Sequence, residues 1–261
     1  GSAVTIYTNR VSTSTTHTLL YTFGNTSGTI ATNVGASVNW TPALTLAAQI
    51  PNATNGTCTI TCQSYNGGTL TGTRTCTITL NVPATVAPSI SSVTVEDTVT
   101  TVASRIGAFV KSLSKLSVAI TAAGTNGSTV SSYRTSLDGV TYTTASFTAS
   151  KKLSTAGNLT LTVTVTDSRG RTATYTETLT VLDYSYPSIR LFKADRCNAD
   201  GSAAQVDGTH VRYSFEGGVV SLNNKNALAC VVYYKLASAE TWTQAETLSV
   251  TSYNLSETDK V

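Results

Sequence analysis

The chain has 261 residues, of which 40% are hydrophobic and 12% charged, with a formal net charge of +3, five cysteines and no methionine. That length accommodates two to three domains with separate cores, and charge at about half its usual share leaves Ser, Thr and Asn to cover the surface. A thin charge whose densest basic run is Lys151-Lys152 excludes a phosphate-tracking groove, and no apolar run is long enough to span a membrane.

In chain order, the first readable element is the Thr-rich strand around Thr15-Thr16-His17-Thr18, followed by Trp40, which stands beside Pro42 like a plug at a strand end. Thr57–Tyr65 and Thr69–Val82 then alternate apolar and hydroxyl residues around Asn66-Gly67-Gly68, the signature of a hairpin. The spacing places Cys58, Ile60 and Cys62 on one face of the first strand, and Cys76, Ile78, Leu80 and Val82 on one face of the second. These cysteines are therefore expected as reduced core thiols, as is Cys230 in Ala229-Cys230-Val231-Val232. Cys197 falls in a polar turn, and a Cys62–Cys76 bridge is the minority alternative.

Ser104–Leu113 has helical spacing through Ile106, Phe109, Val110 and Leu113 but is interrupted by Gly107, so it reads either as a short helical turn or as a crossover loop. Leu137-Asp138-Gly139-Val140 supplies a further turn. The clearest strand of all is Leu159-Thr160-Leu161-Thr162-Val163-Thr164-Val165-Thr166, with period two throughout. It is joined through Asp167-Ser168-Arg169-Gly170 to Thr172–Val181. β-Branched threonine suits an exposed pleated face, so these segments read as antiparallel sheet with one wet side.

Pro88-Ser89-Ile90 recurs as Pro187-Ser188-Ile189, an offset of 187 − 88 = 99 residues. A period of about 100 residues built of short alternating strands is the size of an immunoglobulin-like or fibronectin-III-like sandwich. The expected fold class is all-β, as tandem β-sandwich modules at 1–83, 88–183 and 187–261. The period makes the first module incomplete at its N-terminal side and the third at its C-terminal side. With no initiator methionine, the chain is expected to be a piece of a longer protein.

Candidate chemistry is sparse. The two histidines, His17 and His210, lie near no nucleophile motif, and His17 reads as a surface or cross-strand residue. Asp195, Asn198, Asp200, Gly201 and Asp207 suggest a calcium loop. Aligning Gly201 with the sixth position, however, puts Arg196 where a carboxylate is required, and a polar turn is the preferred reading. Glu96-Asp97 is an adjacent acidic pair expected at an exposed strand end. No catalytic residue, cofactor or metal is therefore assigned. Trp40, Trp242, Tyr133, Tyr142, Tyr184 and Tyr186 offer flat faces on which sugars could stack, and Trp40, Trp242, Tyr133 and Tyr184 are taken as the candidate ligand contacts.

Several stretches form a set. Thr16-His17-Thr18-Leu19, Tyr21-Thr22-Phe23-Gly24, Val38-Asn39-Trp40-Thr41-Pro42 and Gln49-Ile50-Pro51-Asn52-Ala53-Thr54 are followed by Gly107-Ala108-Phe109-Val110, Gly127-Ser128-Thr129-Val130, Arg196-Cys197-Asn198 and Val232-Tyr233-Tyr234-Lys235. In this order they resemble a family of minor structural proteins of long-tailed phages infecting Gram-positive bacteria. The resemblance implies a non-enzymatic virion protein of the tail tip, baseplate or tail fibre, assembled in the host cytoplasm. Its implied partners are other phage tail proteins, with host cell-wall polysaccharide as a candidate ligand. A bacterial surface adhesin and the non-catalytic region of a cell-wall hydrolase are the alternatives. Homo-oligomers remain open, since edges of Thr-rich sheets can pair with a neighbouring chain.

Overall fold

The computed structural model describes residues 2–203, 207–248 and 253–260. The chain is all-β. Its strands run in chain order as β1 (Val4–Tyr7), β2 (Thr15–Phe23), β3 (Thr26–Val34), β4 (Ser37–Trp40), β5 (Asn55–Asn66) and β6 (Thr69–Asn81), with a 3-10 turn over Leu44–Gln49. There follow β7 (Ser89–Asp97), helix α1 (Thr100–Ile106), β8 (Phe109–Val110), β9 (Leu116–Ala123), β10 (Val130–Leu137), β11 (Val140–Tyr142), β12 (Ser146–Thr148), β13 (Gly157–Asp167) and β14 (Thr172–Leu182). The remainder comprises β15 (Ser188–Cys197), β16 (His210–Gly218), β17 (Cys230–Tyr234), β18 (Thr243–Leu248) and β19 (Asn254–Lys260). β7 and β15 each begin at the residue after the repeated proline, 188 − 89 = 99 positions apart.

The turns form where the sequence places residues that tolerate left-handed backbone. Gly67 and Gly68 both have positive φ between β5 and β6, and Asp138 and Gly139 do the same between β10 and β11. This is the two-residue turn whose twist matches a hairpin. Of the ambiguous segment Ser104–Leu113, only the first three residues are helical, as the end of a helix that starts earlier, at Thr100. α1 ends at Ile106, Gly107 adopts φ 68° as its C-terminal cap, and Phe109–Val110 is a two-residue strand parallel to β14.

Residues 4–81 form a four-stranded antiparallel sheet in the order β3-β2-β5-β6 and a two-stranded ribbon β1-β4. The next segment forms a five-stranded sheet, β11-β10-β13-β14-β8, and a three-stranded one, β12-β9-β7. In β13 the even threonines point outward while Leu159, Leu161, Val163 and Val165 are buried, as the period of two requires. The C-terminal segment forms β15-β16-β19 and β17-β18. Tyr213 of β16 donates its hydroxyl hydrogen to Glu246 of β18, and Lys260 of β19 pairs with the same carboxylate at 3.0 Å.

By compactness the chain divides into two units. The first comprises Gly1–Val95, Val118–Phe147 and Leu161–Glu177, and the second Glu96–Ser117, Thr148–Thr160 and Thr178–Val261.

One turn ties several loops of the first unit together. Asp167-Ser168-Arg169-Gly170-Arg171 closes the β13–β14 hairpin, with Gly170 N–H donating to the Asp167 carbonyl at 2.9 Å and Gly170 at φ 79°. The buried Asp167 carboxylate accepts the backbone N–H groups of Arg169 (3.0 Å) and Arg171 (2.9 Å), which fixes both arginines. Arg169, itself buried, donates to the carbonyls of Ala47 (2.8 Å), Ile50 (3.3 Å), Thr125 (2.8 Å) and Asn126 (2.6 Å). Arg171 donates to the carbonyls of Val82, Pro83 and Val86. Ser168 adds a bond to the Pro51 carbonyl at 2.6 Å. The stretch Pro83–Ala87, where the modules expected at 1–83 and 88–183 meet, is therefore pinned, and Val82 and Val86 are buried with Ala47. Gly127 is required here, because a Cβ would sit 2.7 Å from the Ala48 Cα.

In the second unit the corresponding contact is apolar. Leu222, buried although its φ is 50°, packs with Val102 and Val110 and is flanked by Ile106, Leu113, Leu182 and Tyr184. Left-handed backbone costs a leucine roughly 1–2 kcal/mol, which burial of the side chain offsets.

Two outcomes follow for the Arg169 turn. Arg169→Ala removes four hydrogen bonds to backbone carbonyls at once, takes the charge away from the buried Asp167 carboxylate, and is expected to cost about 3 kcal/mol. Arg169→Lys should recover only part of that, since an ammonium cannot reproduce the planar fork; denaturant titration of both variants checks this. The Asp167 carboxyl is pushed up by burial, but the Arg171 N–H, Ser128, the Arg169 N–H and the Arg169 charge together outweigh burial and hold it below the usual carboxylate range. Its folded pKa is thus depressed, and its contribution is present above the unfolded value of about 4 and lost as pH falls below that. Asp167→Asn should flatten the acid limb of a stability–pH curve measured by thermal melting.

Candidate functional site

The four candidate aromatics fall in different surroundings. Trp40 ends β4 and is only 9% exposed, stacked on Tyr21 at 5.2 Å between ring centres and packed with Phe23, Leu46, Cys58 and Ile60. Tyr133 is half-buried in β10, in register with Val165. Tyr184 is half-buried against the Leu222 cluster, edge-on to the exposed Tyr186 at 5.6 Å. Trp242 is 63% exposed. Among the described residues no ring contact joins Trp40 to Tyr133 or Tyr184 to Trp242.

Trp242 instead has neighbours that sequence reasoning did not bring together. Tyr234 of β17 is opposite Thr243 of β18, so Lys235 and Trp242 follow as the next facing positions. The Lys235 ammonium lies 5.4 Å from the Trp242 ring centre, a cation–π contact. Tyr233, opposite Gln244, shares that side of the ribbon, and Tyr233, Tyr234 and Leu236 are all exposed. The hairpin thus presents an indole, a phenol, an amide and an ammonium on one side, a set able to stack on and hydrogen-bond a flat polar ligand. The signal available beforehand was Val232-Tyr233-Tyr234-Lys235 with Trp242 only a short loop away, but facing positions depend on the register of the ribbon.

The polar candidates are structural. His17 is buried, with Nδ1 3.0 Å from the hydroxyl of Ser64, its partner across β2 and β5, and 3.5 Å from the Cys62 sulfur. Burial pushes the Cys62 thiol up, which makes it a poor nucleophile. Cys58 is fully buried, whereas Cys76, expected in the core, is exposed although its partner Ile60 on β5 is buried, because β6 is the outer strand of the sheet. Cys197, expected in a polar turn, is fully buried at the end of β15. In the acidic loop Asp200 accepts the N–H (2.9 Å) and hydroxyl (2.6 Å) of Ser202, a self-contained turn, while Asp195 is paired with Lys193 at 2.7 Å. Among the described residues no group of three or more His, Cys, Asp or Glu side chains is arranged to hold a metal ion. Asp97, at the end of β7, is half-buried and accepts the N–H groups of Val99 and Lys115.

An apolar pocket of about 320 Å³ opens in the first unit, lined by Val4, Phe23, Leu46, Ile50, Leu80 and Pro83 among others. It contains no titratable side chain and offers shape without chemistry.

Comparison with curated proteins found no match. A family model described as siphovirus protein of unknown function (DUF859) matches residues 1–211, which takes in the Arg169 turn and ends before the Trp242 hairpin. With four-fifths of its length in that match, and with the order of short motifs noted in its sequence, the chain belongs to this family of siphovirus proteins.

Proposed function

We propose that the chain is a structural component of the phage virion, carried in the tail, which spaces and presents a host-recognition surface and catalyses no reaction. In this reading the two sheets formed by β7–β14 are an immunoglobulin-like sandwich, since β7, β9 and β12 lie in one sheet and β8, β14, β13, β10 and β11 in the other. The segments before and after it are modules of the same kind. The recognition surface is the β17–β18 hairpin, and its ligand is host cell-wall polysaccharide.

The observation that carries this reading is the exposure of Trp242 under the Lys235 ammonium, beside Tyr233. An indole left in water on a rigid ribbon buries a large flat area when it meets a sugar ring. Weak sites of this kind suffice on a particle that carries many copies, because linked binding multiplies affinity without a tight single site. Neighbouring tail proteins are the other partners of this reading.

The test is binding of the labelled chain to whole Gram-positive host cells and to their isolated wall polysaccharide, beside an unrelated sandwich domain. Saturable binding that free polysaccharide competes away is expected, and Trp242→Ala should weaken it by about 1–2 kcal/mol, or roughly tenfold, without lowering the melting temperature. Binding no greater than the control, or binding indifferent to Trp242→Ala, would defeat the hairpin as the recognition surface. Absence of the protein from purified particles would defeat the virion assignment.

A further inference from the structure

We propose that β6 pairs edge to edge with β6 of a second copy of the chain, antiparallel and about a two-fold axis at Cys76, to join two four-stranded sheets into one of eight strands. This inference does not depend on the reading of the Trp242 hairpin.

β6 is the outer strand of the sheet β3-β2-β5-β6 and bonds only to β5. It is 13 residues long, and Thr69–Thr77 are exposed on both faces. An unpaired row of N–H and C=O groups of that length is a template for another strand unless charge, proline or a bulge protects it. Other long edges in the molecule carry such protection. β3 is bulged in its pairing with β2. β7 ends in Glu96-Asp97, and β15 carries Arg190, Lys193, Asp195 and Arg196 with a bulge after Ile189. β14 contains Glu177 and is capped at its end by β8. In β6 the bulge at Thr71 lies next to the hairpin turn, proline is absent, and Arg74 is the lone charge.

The sequence of the edge selects the second copy as occupant. About an axis at Cys76 the register runs without a bulge from Gly72 to Leu80. It sets Thr75 against Thr77 of the second copy and Thr73 against Thr79, with all four on the hydroxyl face. Thr22, Thr59 and Thr77 already form a row across β2, β5 and β6, and Thr61 stands opposite Thr75. Pairing extends these rows across the axis, and facing threonines are a favourable pair. Arg74 faces Ile78 of the second copy rather than its own equivalent. An axis at Arg74 would oppose two like charges.

On the other face the two Cys76 side chains meet, which gives the arrangement its own reporter. Directly opposed Cβ atoms lie about 4.5–5.5 Å apart, close to the spacing that a disulfide needs. Diamide added to the whole chain takes the two thiol hydrogens and their electrons, itself becoming the hydrazine, and closes the bond.

The experiment combines sedimentation velocity over a range of concentrations with diamide crosslinking read on non-reducing gels and by peptide mapping. The expected result is a concentration-dependent dimer, crosslinked through Cys76 to Cys76. Its dissociation constant should rise at least tenfold in Thr75→Lys with Thr77→Lys, while circular dichroism stays unchanged. Cys76→Ser should abolish the crosslink and keep the dimer. A chain that stays monomeric at every concentration, or a dimer insensitive to the lysines, overturns the proposal. A lysine-sensitive dimer that forms no Cys76 crosslink overturns the register. If the lysine variant fails to fold, the mapped crosslink in the unaltered chain decides by its presence or absence.

Discussion

The loops of the first unit converge on the guanidinium of Arg169. Its donors meet four backbone carbonyls that belong to two separate stretches, Ala47–Ile50 and Thr125–Asn126, and those carbonyls have no strand partner to turn to. Ala47, Ile50 and Thr125 each also accept a local backbone N–H, from Ile50, Ala53 and Ser128, so the planar fork supplies a further bond to each and draws the two stretches together. The charge itself is tolerated because Asp167, two residues away, is buried beside it and remains ionised. Arg171 extends the arrangement to the Val82–Val86 segment, so one five-residue turn settles the course of the backbone in three places.

The contact around Leu222 in the second unit solves a similar problem by different means. There a side chain, not a backbone acceptor, is the group to be satisfied, and the backbone takes up left-handed conformations at Leu222, Asn223 and Asn224 to deliver it. Asparagine is among the residues that accept this backbone most readily, and leucine is not. The strain at Leu222 is sustained by its burial against Val102 and Val110. A polar clamp of the Arg169 kind is demanding about direction, whereas an apolar plug accepts small rotations. The two contacts therefore differ in what they can absorb as well as in chemistry.

How much of this was legible in the sequence depends on range. Period two and turn residues are local properties, so Leu159–Thr166, the Asn66-Gly67-Gly68 hairpin and the Asp138-Gly139 turn emerge as read, within a residue or two at their ends. Cys76 shows where the local rule stops. Its alternation with Ile78 and Leu80 is correct, but cover also depends on a strand's place in the sheet: Ile60 on β5 is buried, while its partner Cys76 on the outer strand is exposed. Arg169 looked like an ordinary turn residue, since nothing in Asp-Ser-Arg-Gly reveals that carbonyls more than a hundred residues earlier will lie beside it. Trp242 stands out in the sequence as one of two tryptophans, but its pairing with Lys235 required the register of a bulged ribbon.

A threonine surface also has a consequence for the edges of its sheets. Charged surface residues keep sheet edges apart as well as keeping a protein in solution, and a chain with 12% charge has few of them to place. Here β7 ends in Glu96-Asp97 and β15 carries Arg190, Lys193, Asp195 and Arg196, while β6 is left with Arg74. Threonine gives an exposed strand its pleated shape without giving it repulsion. An assembly protein can use that combination: monomers fold with well-formed strands, and association waits only on local concentration. A particle in which many copies of a chain are held side by side supplies that concentration, so the same low charge that would make a free protein prone to association lets a structural one assemble without a dedicated apolar interface.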